Sequence, residues 1–175
     1  MIAEGDSSHV DDWDPQAVKS VITRLRPILK TWFRSEVRGL DVMPPGGALV
    51  VSNHSGGLYA VDVPVFAVDF YDKFGYDRPV FTLSNDIMFR GPAAGPLTRV
   101  GFIPASRANA ATALRSGGIV VVFPGGDFDA YRPTSSANKI HFAGRKGYVR
   151  TAIETGVPIV PMVSIGAQEN QIFLT

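Results

Sequence analysis

"ALVVSNHSGGLYAVDVPVFAV", residues 48–68, holds three patterns in succession. Residues 48–52 are small, apolar or β-branched and show no polar alternation, the signature of a strand covered on both faces. A histidine and the Gly56–Gly57 pair follow, which is turn chemistry. From about residue 63 the apolar positions take up a helical rhythm that extends to about 73. Strand, loop and helix in that order form the unit of a parallel sheet. The same alternation continues outward from this stretch. Strands are predicted at 79–83 "PVFTL", 100–104 "VGFIP", 119–123 "IVVVF" and 158–164 "PIVPMVS". Helices are predicted at about 107–116 and 145–155. The expected class is α/β, with a largely parallel central sheet flanked by helices and preceded by an amphipathic N-terminal helix.

The chain has 175 residues, enough for one domain with a sizeable core, and no repeat or second domain is visible. Lys and Arg number 17 against 16 Asp and Glu, so net charge points to no polyanionic partner, and no motif supports nucleic-acid binding. There is no cysteine, which excludes disulfides, thiolate nucleophiles and Cys-ligated metals. Three scattered histidines offer no metal-ligand spacing, so no metal is expected. The acidic start "MIAEGDSSHVDDWD" does not read as a secretory signal, and no apolar run approaches the ~18 residues of a membrane span.

Residues 1–14 read as a flexible tail and 15–38 as an amphipathic helix. Val18, Val21, Ile22, Leu25, Ile28, Leu29, Trp32 and Phe33 make one apolar face. Pro15 suits the start, and Pro27 should kink the helix. Residues 15–39 carry six basic residues against the single acid Glu36. Two readings stay open: packing on the chain's own domain, or lying on an anionic lipid surface.

Sites in open α/β sheets form beyond the carboxyl ends of the strands. Two segments fall there: 53–62, after the first strand, and "PGGDFDAYRP", 124–133, after strand 119–123. His54 is the one histidine so placed. A neutral imidazole can take a proton from an alcohol, and a carboxylate on its other nitrogen fixes the tautomer. Asp62 is the nearest downstream acid, and its alternative role is to cap the next helix. Gly56, Gly57, Gly125 and Gly126 permit close approach to backbone amides that could receive an anion or oxyanion, or they are simply turn residues. No Gly-x-Ser-x-Gly elbow surrounds Ser52 or Ser55. Arg107, Arg132, Lys139, Arg145 and Lys146 follow the strands. Arg145 and Lys146 are expected to open a helix, where the dipole disfavours them, so they suit a phosphate unless they are only solvated.

In order along the chain, "SNHSGGLYAVD", "GFIPASR", "VVFPGGDFD" and "GVPIVPMVSIG" resemble the four sequence blocks of the glycerolipid acyltransferase superfamily. "PGG" and "GRKGYVR" are most similar to its monoacylglycerol and diacylglycerol acyltransferase branch, as is the ending Gly166 to Glu169. Gly125 stands where the common third block has glutamate. Seven residues separate His54 from Asp62, more than is usual in the superfamily, so the intervening chain must bulge.

The resemblance implies that residues 39–175 are an acyltransferase domain; the abrupt stop at "GAQENQIFLT" leaves open, as an expectation, that its C-terminal end is incomplete. It implies transfer of a fatty acyl group from an acyl-CoA or acyl-carrier-protein thioester to a glycerolipid hydroxyl, in lysophosphatidate or a mono- or diacylglycerol, with no cofactor. His54 and Asp62 are the implied catalytic residues and Gly125 and Gly126 the implied oxyanion site. Asn53, Arg107, Pro124, Asp129, Arg145 and Lys146 are the implied substrate-binding residues. The implied partners are a membrane lipid acceptor, the acyl donor, and a membrane surface met through residues 15–38. The expected location is peripheral, on the cytoplasmic face. A non-catalytic lipid or thioester binder and a lipid hydrolase are the alternatives.

Overall fold

The computed structural model describes residues 8–54, 57 and 61–167. Five strands, β1 (Ala48–Ser52), β2 (Val80–Ser84), β3 (Phe102–Pro104), β4 (Ile119–Val122) and β5 (Ile159–Met162), form one sheet in the order β3-β2-β4-β1-β5. Every pairing is parallel. The intervening helices are α3 (Asp62–Phe74), α4 (Ala94–Arg99), α5 (Arg107–Arg115), the short α6 (Asp127–Ala130) and α7 (Gly147–Thr155), and α1 (Ser8–Asp11) and α2 (Pro15–Pro27) precede the sheet.

The apolar strands bury both faces, as their lack of alternation requires. Ala48, Val50, Val80, Ile119 and Val121 point into a core with Val18, Ile22 and Leu29 of the N-terminal helical segment and Phe66, Phe70 and Tyr71 of α3. Leu49, Val51, Phe81 and Val120 point to the other face, against Ala110, Ala113 and Leu114 of α5 and Ala152 of α7. Tyr71 illustrates the dryness of the first core. Its hydroxyl accepts the Val80 N–H at 2.9 Å, and burial pushes its pKa up to about 12.

The N-terminal segment departs from expectation in three ways. Residues 1–7 of the expected 1–14 tail lie outside the described residues, and over 8–14 α1 forms and Val10 is buried in the second core. Asp14 caps α2, accepting from Gln16 N–H (2.8 Å) and Ala17 N–H (3.3 Å), and pairs with Arg99. Second, Pro27 does not end the helical path. Its missing N–H removes one i→i−4 bond, and the chain continues as a π-helical turn, Ile28–Trp32, with Phe33 N–H on Ile28 O at 3.3 Å. Helix stops there, short of residue 38. Third, the apolar stripe is divided. Val18, Ile22 and Leu29 are buried, whereas Trp32 is 81% exposed. Part of the basic face is neutralised internally, because Arg26 pairs with Asp72 and Lys30 with Asp69 of α3.

The Arg99 guanidinium and the two backbone amides hold the Asp14 carboxyl below the usual range. Its stabilising effect is therefore present above the ordinary carboxylate pKa and is lost as pH falls through the lowered folded value. Asp14→Ala should lower the melting temperature at neutral pH. The gap from the parent protein should close as pH drops below that value, which parallel melts across pH would show.

The sheet order positions the site. Val51 lies opposite Val122 and Ser52 opposite Met162, so β4, β1 and β5 end almost flush. The segments that leave them, from Asn53, Phe123 and Val163, therefore emerge side by side at the carboxyl edge.

Candidate active site

At that edge His54 and Asp62 come together. His54 Nδ1 lies 2.9 Å from Asp62 Oδ2. The Asp62 side chain is 1% exposed and that of His54 19%, so the carboxylate is shielded while the imidazole keeps a path to solvent. Asp62 is the first residue of α3, and its Oδ1 also accepts the Val63 N–H at 3.0 Å. The capping role considered for it is not filled: Val61 holds the N-cap position of α3, with no side-chain cap bond. The Phe123 ring stacks on the imidazole at 4.4 Å between centroids. Of the loop between the pair, Gly56 and Tyr59 fall outside the described residues, and Gly57 is buried with φ +53°.

The main chain of His54 is also held. Asp129, fully buried, accepts the His54 N–H on Oδ2, and Arg132 Nη1 donates to the His54 carbonyl at 2.8 Å. Arg132 Nη1 also reaches Asp129 Oδ1 at 2.9 Å. Asn53 exchanges hydrogen bonds with the backbone of Ser164 just past β5: Nδ2 donates to Ser164 O at 2.9 Å and Oδ1 accepts Ser164 N–H at 2.8 Å.

Four of the expected substrate-binding residues have the following places. Asn53 and Asp129 are buried and bonded to protein, so they hold the loop. Arg145 precedes α7 and does not open it. Its Nη1 donates to the carbonyls of Pro124 (3.3 Å) and Gly125 (3.1 Å), and its Nη2 lies 3.4 Å from Asp127, so the guanidinium braces the glycine turn. Lys146 takes the N-cap position of α7 and is exposed.

The two glycines also separate in role. Gly126 has φ +54°, and its N–H already donates to Phe123 O at 3.0 Å. Gly125 N–H meets no acceptor among the described residues. A Cβ on Gly125 would fall 2.3 Å from Asp129 Cβ and 2.7 Å from His141 O, so only glycine lets the buried carboxylate approach.

Beside this group lies a cleft of about 250 Å³ with Leu49, Leu83, Ala110 and Val122 among its apolar walls. Arg107, Pro124 and Arg145 line it too, and Phe123 borders both the cleft and His54. Arg107 is exposed at the first position of α5, behind the Ser106 cap. Ser52 is fully buried with its hydroxyl on the Asn53 carbonyl (3.0 Å), which removes it as a nucleophile, and Ser55 is outside the described residues. Sequence reasoning placed Arg132 only among scattered cations. Its one local signal was the three-residue spacing from Asp129, close enough for the two side chains to meet across the turn that ends α6.

A buried carboxylate paired with a part-exposed histidine at the carboxyl edge of a parallel α/β sheet, next to an apolar cleft, is an arrangement whose imidazole can accept a proton. The Acyltransferase family profile matches residues 34–165, and the chain belongs to that family. An uncharacterized protein of Mycobacterium tuberculosis is 35% identical over 176 residues, covering 98% of this chain and 49% of its own. An uncharacterized protein of Mycobacterium leprae is 32% identical over 166 residues, with 93% and 45% covered. The Mus musculus protein named DGAT1/2-independent enzyme synthesizing storage lipids is 29% identical over 159 residues, with 90% and 46% covered. The chain thus spans about half the length of the curated relatives it matches. No solved structure gives a significant match.

Proposed function

We propose that this chain transfers a fatty acyl group from an acyl thioester, acyl-CoA or an acyl carrier protein, to a hydroxyl of a glycerolipid. The observation that carries the proposal is the 2.9 Å contact between His54 Nδ1 and a buried Asp62, in a member of the Acyltransferase family. Asp62 holds the proton on Nδ1, which leaves Nε2 free to accept one. The acceptor hydroxyl loses its proton to Nε2 as its oxygen bonds to the thioester carbonyl carbon. The C–S bond then breaks, and the proton passes from Nε2 to the departing thiolate. Gly125 N–H is the donor left to receive the oxyanion, and Arg107 at the cleft mouth suits a phosphate of donor or acceptor. The unusual His–Asp spacing was the main support for a non-catalytic binder, and the closed 2.9 Å contact removes that support. The relative named for storage-lipid synthesis supports a mono- or diacylglycerol acceptor.

Palmitoyl-CoA, liposomes carrying candidate acceptors and a colorimetric thiol assay test the proposal, with no thiol background from a chain that has no cysteine. The expected result is thiol release that requires both an acceptor and His54. Release without an acceptor would make the chain a hydrolase and overturn the proposal.

Both acceptor and product belong to a bilayer, so the chain acts peripherally, on the cytoplasmic face. Since Val18, Ile22 and Leu29 are buried, membrane contact falls to the exposed end of that segment, Ile28, Trp32 and Phe33 beside Arg34. Trp32→Ser/Phe33→Ser should cut flotation with anionic liposomes severalfold without lowering the melting temperature. Equal flotation would place the contact elsewhere. No helix among the described residues is long and apolar enough to cross a membrane.

A further inference from the structure

We infer that Asp129 and Arg132 are positioning residues for His54: a buried ion pair from the β4 loop that grips the histidine's own main chain on both sides. The inference rests on the proposed chemistry of His54 and Asp62. Asp129 Oδ2 takes the His54 N–H, and Arg132 Nη1 donates to the His54 carbonyl at 2.8 Å. The pair is tied to itself by Nη1 to Asp129 Oδ1 at 2.9 Å and to the Asp129 carbonyl at 2.7 Å. Its outer side is anchored by Arg132 Nε on Ala137 O (3.0 Å) and by His141 N–H on Asp129 Oδ1 (3.4 Å).

Burial makes this arrangement informative. The Asp129 side chain is wholly inaccessible and that of Arg132 is 7% exposed. Two charges withdrawn from water seldom stabilise a fold more than apolar residues of similar size would. Their placement instead fixes the origin from which the imidazole projects. The local sequence is built around it. Gly125 leaves room for the carboxylate, Gly126 turns the chain at φ +54°, α6 carries Asp129, and Arg132 follows two residues past its end, three residues on from Asp129. A reacting group displaced by 1 Å can lose up to about 10²-fold in rate. A long His–Asp loop gains most from an external grip of this kind.

The test uses Asp129→Ala/Arg132→Met, which removes both charges together, and Arg132→Lys, which keeps a charge pair but not the span to His54 O and Ala137 O. Each is melted, assayed for acyl transfer, and examined by proton NMR in water. The His54 Nδ1 proton, bonded to Asp62, gives a resonance downfield of the amides, identified by its loss in His54→Ala. The double variant should melt cooperatively, lose or broaden that resonance, and show kcat reduced about tenfold or more with KM little changed. Arg132→Lys should show a smaller loss of kcat in the same sense. A folded double variant with the parent resonance and kcat overturns the inference. Should the double variant not fold, Arg132→Lys decides: an unchanged resonance and kcat overturn it. Absence of acyl transfer in the parent protein, with a resonance that the variants abolish, refutes the proposed function and leaves the positioning role standing.

Discussion

His54→Ala should lower the acyl-transfer rate by about 10²–10⁴-fold, the range that a lost general base typically produces. The fold should survive, because the imidazole is part-exposed and its main-chain bonds to Asp129 and Arg132 do not involve the side chain. Asp62→Asn should approach the same loss by a different route. An asparagine amide turned toward Nδ1 donates where the carboxylate accepted. The imidazole then carries its proton on Nε2 and cannot take one from the alcohol. The corresponding change in a serine-protease triad costs about 10⁴-fold. Asparagine can still accept the Val63 N–H through its remaining oxygen, so α3 keeps its first turn. Single-turnover rates with matched thermal melts would check both variants. An Asp62→Asn enzyme at parent speed would show that Asp62 only starts a helix.

Arg132→Ala should be the most destabilising single change at the site, at about 3–5 kcal/mol, because it leaves the Asp129 carboxylate buried without its counter-charge. The size follows from burial. An exposed pair such as Arg38–Glu36 is worth far less, since water screens both partners whether or not they meet. Asp129→Ala/Arg132→Met should be less harmful than Arg132→Ala alone, as no uncompensated charge remains. Urea unfolding of the three proteins would give the order. If Arg132→Ala costs less than about 1 kcal/mol, water reaches the pair and the charge is not confined.

The two loops at the carboxyl edge show how sequence reading and tertiary structure divide the work. Strand 48–52 coincides with β1, and the helix expected at 107–116 is α5, one residue shorter. Both are legible because apolar runs and their periodicity are local properties. The N-terminal segment was harder. Its 3- and 4-residue rhythm reveals an apolar face but not what covers it, and the answer lies with α3, whose Asp69 and Asp72 take up Lys30 and Arg26.

By itself the sequence determined the α/β class, the order of the five strands, His54 and Asp62 as the pair to examine, and the placing of the 53–62 and 124–133 loops beyond strand ends. Each follows from periodicity, turn chemistry or the rule that parallel sheets build sites at their carboxyl ends. Only the tertiary structure decided that seven intervening residues bring Nδ1 to 2.9 Å from the carboxylate. Only it showed that Arg145, which lines the cleft together with Arg107, also braces the glycine turn, and that Asn53 and Asp129 support the histidine loop. The physical reason is common to all of these. A side chain's role is set by whichever partner satisfies its polar atoms on burial, and those partners lie up to 111 residues away along the chain, as Ser164 does from Asn53.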